Sequence, residues 1–318
     1  MFKGKKMLKI TQILLSLCFL ILMNCRVTSL PARSVQKGNT TLFDLKSYSN
    51  PKGKIQFQKV IGADWAVARG GLIYLDDPIS KEKGLKEGEE PIQIYMYVID
   101  HPVHGRFFID TGIANVFKKD PSEWPVNWLL KKGMNMNALK IKQTLGDWMT
   151  ANPAKLNGVF LTHMHIDHVM GGTDLGKEIP IYTGPKESTS TAFINMFVQG
   201  STNDLLGEEK TIQELEFPNA DSELGLSTLD YFGDGSLIVL YSPGHTPGSL
   251  AFLVHSTNGL QLVLGDTCHT TFGWQNNVPP GDFTADRDKN RNSLNALQLI
   301  AKKFKDIKIH PGHQSLKD

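Results

Sequence analysis

The 318-residue sequence predicts an α/β layered fold, with sheets covered on their outer faces by helices. Two observations carry the prediction. From about residue 54 the chain is a succession of short apolar runs broken by Gly, Pro and Asn, and these alternate with longer amphipathic stretches in both halves. Hairpin signals and strand-to-helix steps recur together, and no internal repeat or low-complexity tract interrupts them.

Before the body stands a segment of a different kind. Lys3, Lys5, Lys6 and Lys9 occur without an acid and precede an apolar run over residues 10–23. That is the length of a signal-peptide core and short for a membrane span. It ends in Leu22-Met23-Asn24-Cys25, which is similar to a bacterial lipobox, although Met23 and Asn24 are bulkier than the usual small residues. Residues 1–24 are therefore expected to be a signal peptide, of lipoprotein type if Cys25 is acylated. A plain cleaved signal or an uncleaved anchor are the other readings. The protein is expected to be exported, periplasmic or held at the cell envelope, and to meet the membrane through a lipid anchor only. Residues 25–53, rich in Ser, Thr, Pro, Arg and Lys, read as a tether, and residues 54–318 as the folded domain.

Within that domain, residues 94–100 (IYMYVID) and 106–110 (RFFID) flank a turn at 101–105 and form a hairpin. Residues 137–149 place Leu139, Ile141, Leu145 and Trp148 roughly on one helical face. Residues 158–162 (GVFLT) form a short buried strand, 185–198 a helix, and 200–226 a polar, loop-rich stretch. Strands are expected at 229–232, 237–241, 249–254 and 260–264. A helix follows at 292–304, its end suited by Lys302, Lys303 and Lys305, and then a last strand at 307–309.

Composition excludes several classes. A net charge of +2 gives no overall basic field to gather nucleic acid. Three cysteines cannot build a disulfide scaffold, and 40% hydrophobic residues do not make a multi-span membrane protein.

The strongest local signal is Thr162-His163-Met164-His165-Ile166-Asp167-His168, directly after the strand GVFLT. Three imidazoles and a carboxylate within six residues are metal ligands by type. On extended backbone His163 and His165 point the same way, and Asp167 and His168 sit where the chain turns and can face a second ion. Three further strand ends offer donors: His245 in Pro243-Gly244-His245-Thr246-Pro247-Gly248, Asp266 in Leu264-Gly265-Asp266-Thr267, and His310-Pro311-Gly312-His313. Each is weak alone.

In this order, over residues 55 to 318, these motifs resemble the metallo-β-lactamase superfamily. The resemblance implies a four-layered αβ/βα sandwich with the site between the sheets, and makes 54–318 its catalytic domain. It implies that His163, His165 and His245 hold one ion, that Asp167, His168 and His313 hold another, and that Asp266 bridges both. It also favours His313 over His310 and gives Asp110, in Asp110-Thr111-Gly112, a supporting role. Imidazoles and carboxylates without a thiolate suit two zinc ions best, with manganese, iron or cobalt as other fits. Cys268 is read as a buried strand-end residue rather than a ligand.

The chemistry expected is hydrolysis, a metal-bridging hydroxide attacking a carbonyl, with Asp167 passing a proton to the leaving group. Among superfamily members the chain looks most like the N-acyl homoserine lactone lactonases, which makes a small-molecule lactone or other ester the expected substrate. Those enzymes carry a Tyr three residues after the bridging Asp to polarise the lactone carbonyl. This chain has His269 there, as a candidate for the same role. A thioester hydrolase, similar to hydroxyacylglutathione hydrolases, and a mononuclear iron sulfur dioxygenase are the alternatives. Phe117, Trp124, Trp128, Leu129, Leu130, Phe272 and Trp274 form either an apolar wall at the site mouth or a packing surface for the insertion at 113–136.

Overall fold

The computed structural model describes residues 25–39, 53–217, 225–304 and 306–316. Two sheets stack face to face. The larger has the order β1 (Ala32–Val35), β8 (Ile212–Leu215), β7 (Ile181–Thr183), β6 (Leu156–Phe160), β4 (Gly105–Ile109), β3 (Glu89–His101), β2 (Gln56–Ala68) and β5 (Lys140–Ile141). The smaller runs β13 (Lys308–Pro311), β12 (Gly259–Gly265), β11 (Leu250–Ser256), β10 (Leu237–Tyr241) and β9 (Ser227–Asp230).

Period-two alternation explains the layers. Along β3, Ile92, Ile94, Met96 and Val98 face the helices, while Tyr95, Tyr97 and Ile99 face the second sheet. In β10 and β11, Leu237, Val239, Leu250, Phe252 and Val254 point inward; Ile238, Leu240, Ala251 and Leu253 point outward. Both faces of these strands are buried, so they read as unbroken apolar runs. The outer layer on the second sheet is helix Arg287–Lys303, which buries Leu294, Leu297 and Ile300. The Asp286 side chain caps that helix by accepting the Lys289 N–H. The product is helix, sheet, sheet, helix, as expected.

The β3–β4 hairpin stands where the sequence put it. His101 Nδ1 accepts the Val103 and His104 amides, and Gly105 takes φ +76° to close the turn. Four other expectations need correction. The helix over 137–149 breaks: Lys140–Ile141 pairs with Ala63–Asp64 as β5, and the helix is Leu145–Ala151, started by the Thr144 side chain. The helix at 185–198 lies later, at Asn195–Leu206, because Lys186 at φ +62° belongs to a turn. The stretch 200–226 therefore holds the end of that helix and strand β8; residues 218–224 lie outside the described residues.

The tether over 25–53 is, over residues 25–39, part of the body. Strand β1 adds parallel to β8, Cys25, Val27 and Leu30 are buried, and Ala192 N–H donates to the Cys25 carbonyl. The signal peptide over 1–24 and residues 40–52 lie outside the described residues.

Candidate metal centre

Every candidate donor leaves the same edge of the sandwich. Strands β4 and β6 run parallel, and so do β12 and β13, with β10 in the same sense as β12. Their C-terminal ends deliver Asp110, the His163–His168 segment, His245, Asp266 and His313 to one place. Helix Ile166–Val169 turns Asp167 and His168 inward.

Two sets of donor atoms gather there, each within 4.8 Å: His163, His165, His245 and Asp266, and Asp167, His168, Asp266 and His313. The His245 Nε2 is 3.2 Å from His163 Nε2 and 3.0 Å from His165 Nδ1. Burial and neighbouring imidazoles hold the His163 and His245 pKa values well below the usual range, and burial brings His165 down to about 4. These rings are neutral at pH 7, with lone pairs able to bind a cation.

The second set is more negative. Asp266 Oδ2 lies 3.3 Å from His168 Nε2 and 3.2 Å from His313 Nε2, and Asp167 Oδ2 is 3.2 Å from His313 Nε2. Burial would depress both rings, but the carboxylates of Asp266, Asp110 and Asp167 outweigh it. They raise His168 well above its ordinary value, and Asp266 with Asp167 raises His313 to about 10. Positive charge is what this set lacks. Asp266 Oδ1, buried, has no hydrogen-bond partner, and a Cβ at Gly312 would collide with it. The donor set fits two divalent cations.

Supporting contacts orient the rings. Asp110, held at φ +57°, accepts from His168 Nδ1 at 2.9 Å and from the Thr162 amide at 2.7 Å. His313 Nδ1 donates to the Gln93 carbonyl at 3.0 Å, and His245 Nδ1 meets Thr284 Oγ1 at 3.1 Å. Each leaves the far nitrogen for an ion.

Sequence reasoning missed Glu187. Its buried carboxylate accepts Met164 N–H at 2.8 Å, Gly248 N–H at 2.9 Å and Thr246 O–H at 2.7 Å. It thus ties the loop of His163 and His165 to the loop of His245, and burial raises its pKa. A single acid in Gly184-Pro185-Lys186-Glu187 carries no motif; its place after β7 was the sole clue.

Other candidates resolve plainly. His310 points away, to Gln261 Oε1 at 2.9 Å, between Phe57 and Tyr97. Cys268 is buried in the outer core of the second sheet, its thiol pushed up to about 12. His269 sits inside the site with Nδ1 on the Leu72 carbonyl at 3.0 Å and Nε2 3.0 Å from Asp266 Oδ2. Both partners only accept, so the single hydrogen of a neutral ring serves one of them and not the other.

The aromatic wall is mostly packing. Phe117 is in the core, Trp124 packs on it at 5.3 Å, and Trp274 joins the outer core beside the last helix. Trp128 and Leu129 are exposed. The cleft beside His313, about 1030 Å³, is lined instead by Trp65, Pro91, Ile92 and Ala138 among Asp64, Glu89, Glu90, Lys140 and Gln314.

The sequence family described as the metallo-beta-lactamase superfamily matches residues 89–313. The N-acyl homoserine lactonase AttM of Agrobacterium fabrum is 28% identical over 234 residues, 70% of this chain and 82% of that one. AttM of Azorhizobium caulinodans is 27% identical over 220 residues, 67% and 78% of the two chains. A crystal structure of a quorum-quenching N-acyl homoserine lactone lactonase aligns with a TM-score of 0.57 at 16% identity, covering 83% of this chain and 94% of the other.

Proposed function

The chain belongs to the metallo-beta-lactamase superfamily, and on that premise we propose that it is a dinuclear metal-dependent hydrolase that opens lactones, N-acyl homoserine lactones first among them. The observation that carries this is the pair of donor sets meeting at Asp266. Relatives named as lactonases, of which this chain covers most of the length, supply the substrate class.

His163, His165 and His245 would hold one ion, Asp167, His168 and His313 the other, with Asp266 common to both. Zinc is the proposed metal, on the chemistry of imidazole and carboxylate donors. Two such ions, when bound, supply a water-derived nucleophile at neutral pH and polarise the carbonyl. Asp110, Gln93 and Thr284 hold the rings of His168, His313 and His245 in the orientation that presents their Nε2 atoms. Asp167, less enclosed than its neighbours, takes the proton released by water at its carboxylate and returns it to the leaving alkoxide. Hydroxyl thus adds to the acyl carbon, the ring C–O bond breaks, and the products are an acid and an alcohol. The cleft beside His313, with apolar and charged stretches, offers room for an acyl amide.

The basic-then-apolar leader supports export to the cell envelope as part of this proposal.

The test is acid release from N-acyl homoserine lactones by metal-loaded protein, with Asp266→Ala as control. Turnover lost in the variant is expected. Absence of turnover in protein holding two ions would sink the lactone assignment.

A further inference from the structure

We propose that His269 is a metal donor in addition to the seven residues above, binding through Nε2 beside Asp266; the inference rests on the dinuclear reading. The structure gives His269 the same device as His313. Each ring uses Nδ1 to donate to a backbone carbonyl, Leu72 for His269 and Gln93 for His313, both at 3.0 Å. A carbonyl only accepts, and so does the carboxylate beyond Nε2; with an ion lying between Nε2 and Asp266, the ring would keep its hydrogen on Nδ1 for the carbonyl and give its Nε2 lone pair to the ion. Both Nε2 atoms aim at Asp266 Oδ2, at 3.0 Å and 3.2 Å.

The two rings are also built as a pair. They stack with an interplanar angle of 26° and centroids 5.5 Å apart. The His313 amide donates to the His269 carbonyl at 2.9 Å, and the Gly312 amide to that of Cys268, so the loops carrying them move as one. The His245 ring stands at 85° to His269 with centroids 4.9 Å apart, which puts His269 between the two donor sets. His269 is 2% exposed, so its Nε2 faces the donor sets rather than the surface. His310 shows that this arrangement is not general to histidines at these strand ends, since its Nε2 is taken by Gln261.

An additional imidazole raises the donors available to one ion beyond the tetrahedral set. The centre then suits ions that accept five or six ligands, and is less selective for zinc. His269 also differs in chemistry from a carbonyl-polarising hydroxyl: it offers an electron pair where a hydroxyl offers a proton.

The alternative is an imidazolium that merely donates a hydrogen bond to Asp266, and two variants separate them. His269→Gln keeps a donor to Asp266 but removes the imidazole; His269→Phe removes both. The full chain is stripped with a chelator, reloaded with Co²⁺, and read by the paramagnetically shifted exchangeable Nδ1–H proton signals, one per ring bound through Nε2. Affinity is measured by competition with a chelator dye. Both variants are expected to lose one shifted signal and to weaken one ion at least about tenfold. An unchanged signal count overturns the proposal, as does affinity lost in His269→Phe alone. If His269→Phe fails to fold, the count in His269→Gln decides. Protein that binds two ions with the His269 signal but opens no lactone supports this inference while defeating the substrate assignment. Wild type that binds no cobalt overturns both.

Discussion

Replacing Glu187 by alanine tests whether one buried carboxylate holds the first donor set together. The side chain is 1% exposed and accepts three hydrogen bonds, from Met164 N–H, Gly248 N–H and Thr246 O–H. Thr246 Oγ1 keeps a second partner in Ser249 Oγ at 2.8 Å, so alanine strands the two amides. Each stranded buried donor costs about 1–3 kcal/mol, or about 2–6 kcal/mol for the pair. Removing a carboxylate whose burial is itself unfavourable returns part of this, which puts the expected loss at the lower end, about 2–4 kcal/mol. Urea unfolding of the metal-free chain measures it. The same two amides flank His163, His165 and His245, so the ion bound there should weaken, while the one held by Asp167, His168 and His313 should not. Glu187→Gln can accept at one oxygen and should recover part of both losses. A stability change below about 0.5 kcal/mol, the range of an ordinary surface substitution, with both ions bound as in wild type would refute the reasoning.

Asp110→Asn keeps a residue tolerant of φ +57° but removes the carboxylate facing His168 Nδ1, so binding of the second ion should fall about 10–100-fold with little loss of fold, read by chelator competition. Burial holds His310 down to about 3, below its ordinary 6.5, so the unfolded chain binds the extra proton between those values. Stability should therefore fall as pH drops through 6.5 toward 3, by up to about 1.4 kcal/mol per pH unit, and His310→Gln should flatten that slope in urea titrations at pH 7, 6 and 5.

The donors were legible because chemistry forces their type and the strand ends force their spacing. Thr162 to His168 and the loops of His245, Asp266 and His313 announce themselves residue by residue. Strands buried on both faces, such as β3, β10 and β11, were legible for a similar reason: no charged or amide side chain interrupts their central runs at 94–99, 237–241 and 250–254. Strand β2 was not. Its outward Gln56 and Gln58, the half-buried Lys59 on the opposite face and the register shift between Ile61 and Ala63 break the alternation that would have marked it. The helix expected over 137–149 had a good apolar face, but pairing of Lys140–Ile141 with β2 claimed its first half. Glu187 was invisible since two of its three partners are backbone amides, which leave no trace in side-chain patterns. His269 was visible as a position, yet the direction of its lone pair depends on Leu72, 197 residues away.

Strand β1 has a consequence for how the molecule behaves among its own copies. Its four residues lie along β8, whose backbone groups would otherwise form the open margin of the large sheet. Such a margin is a template for pairing with another chain. Covering it with a strand this short, three of whose residues are exposed and one of them Arg33, substitutes a poor template for a better one. A chain trimmed beyond Val35 would carry its entire donor set and still be the form prone to aggregate.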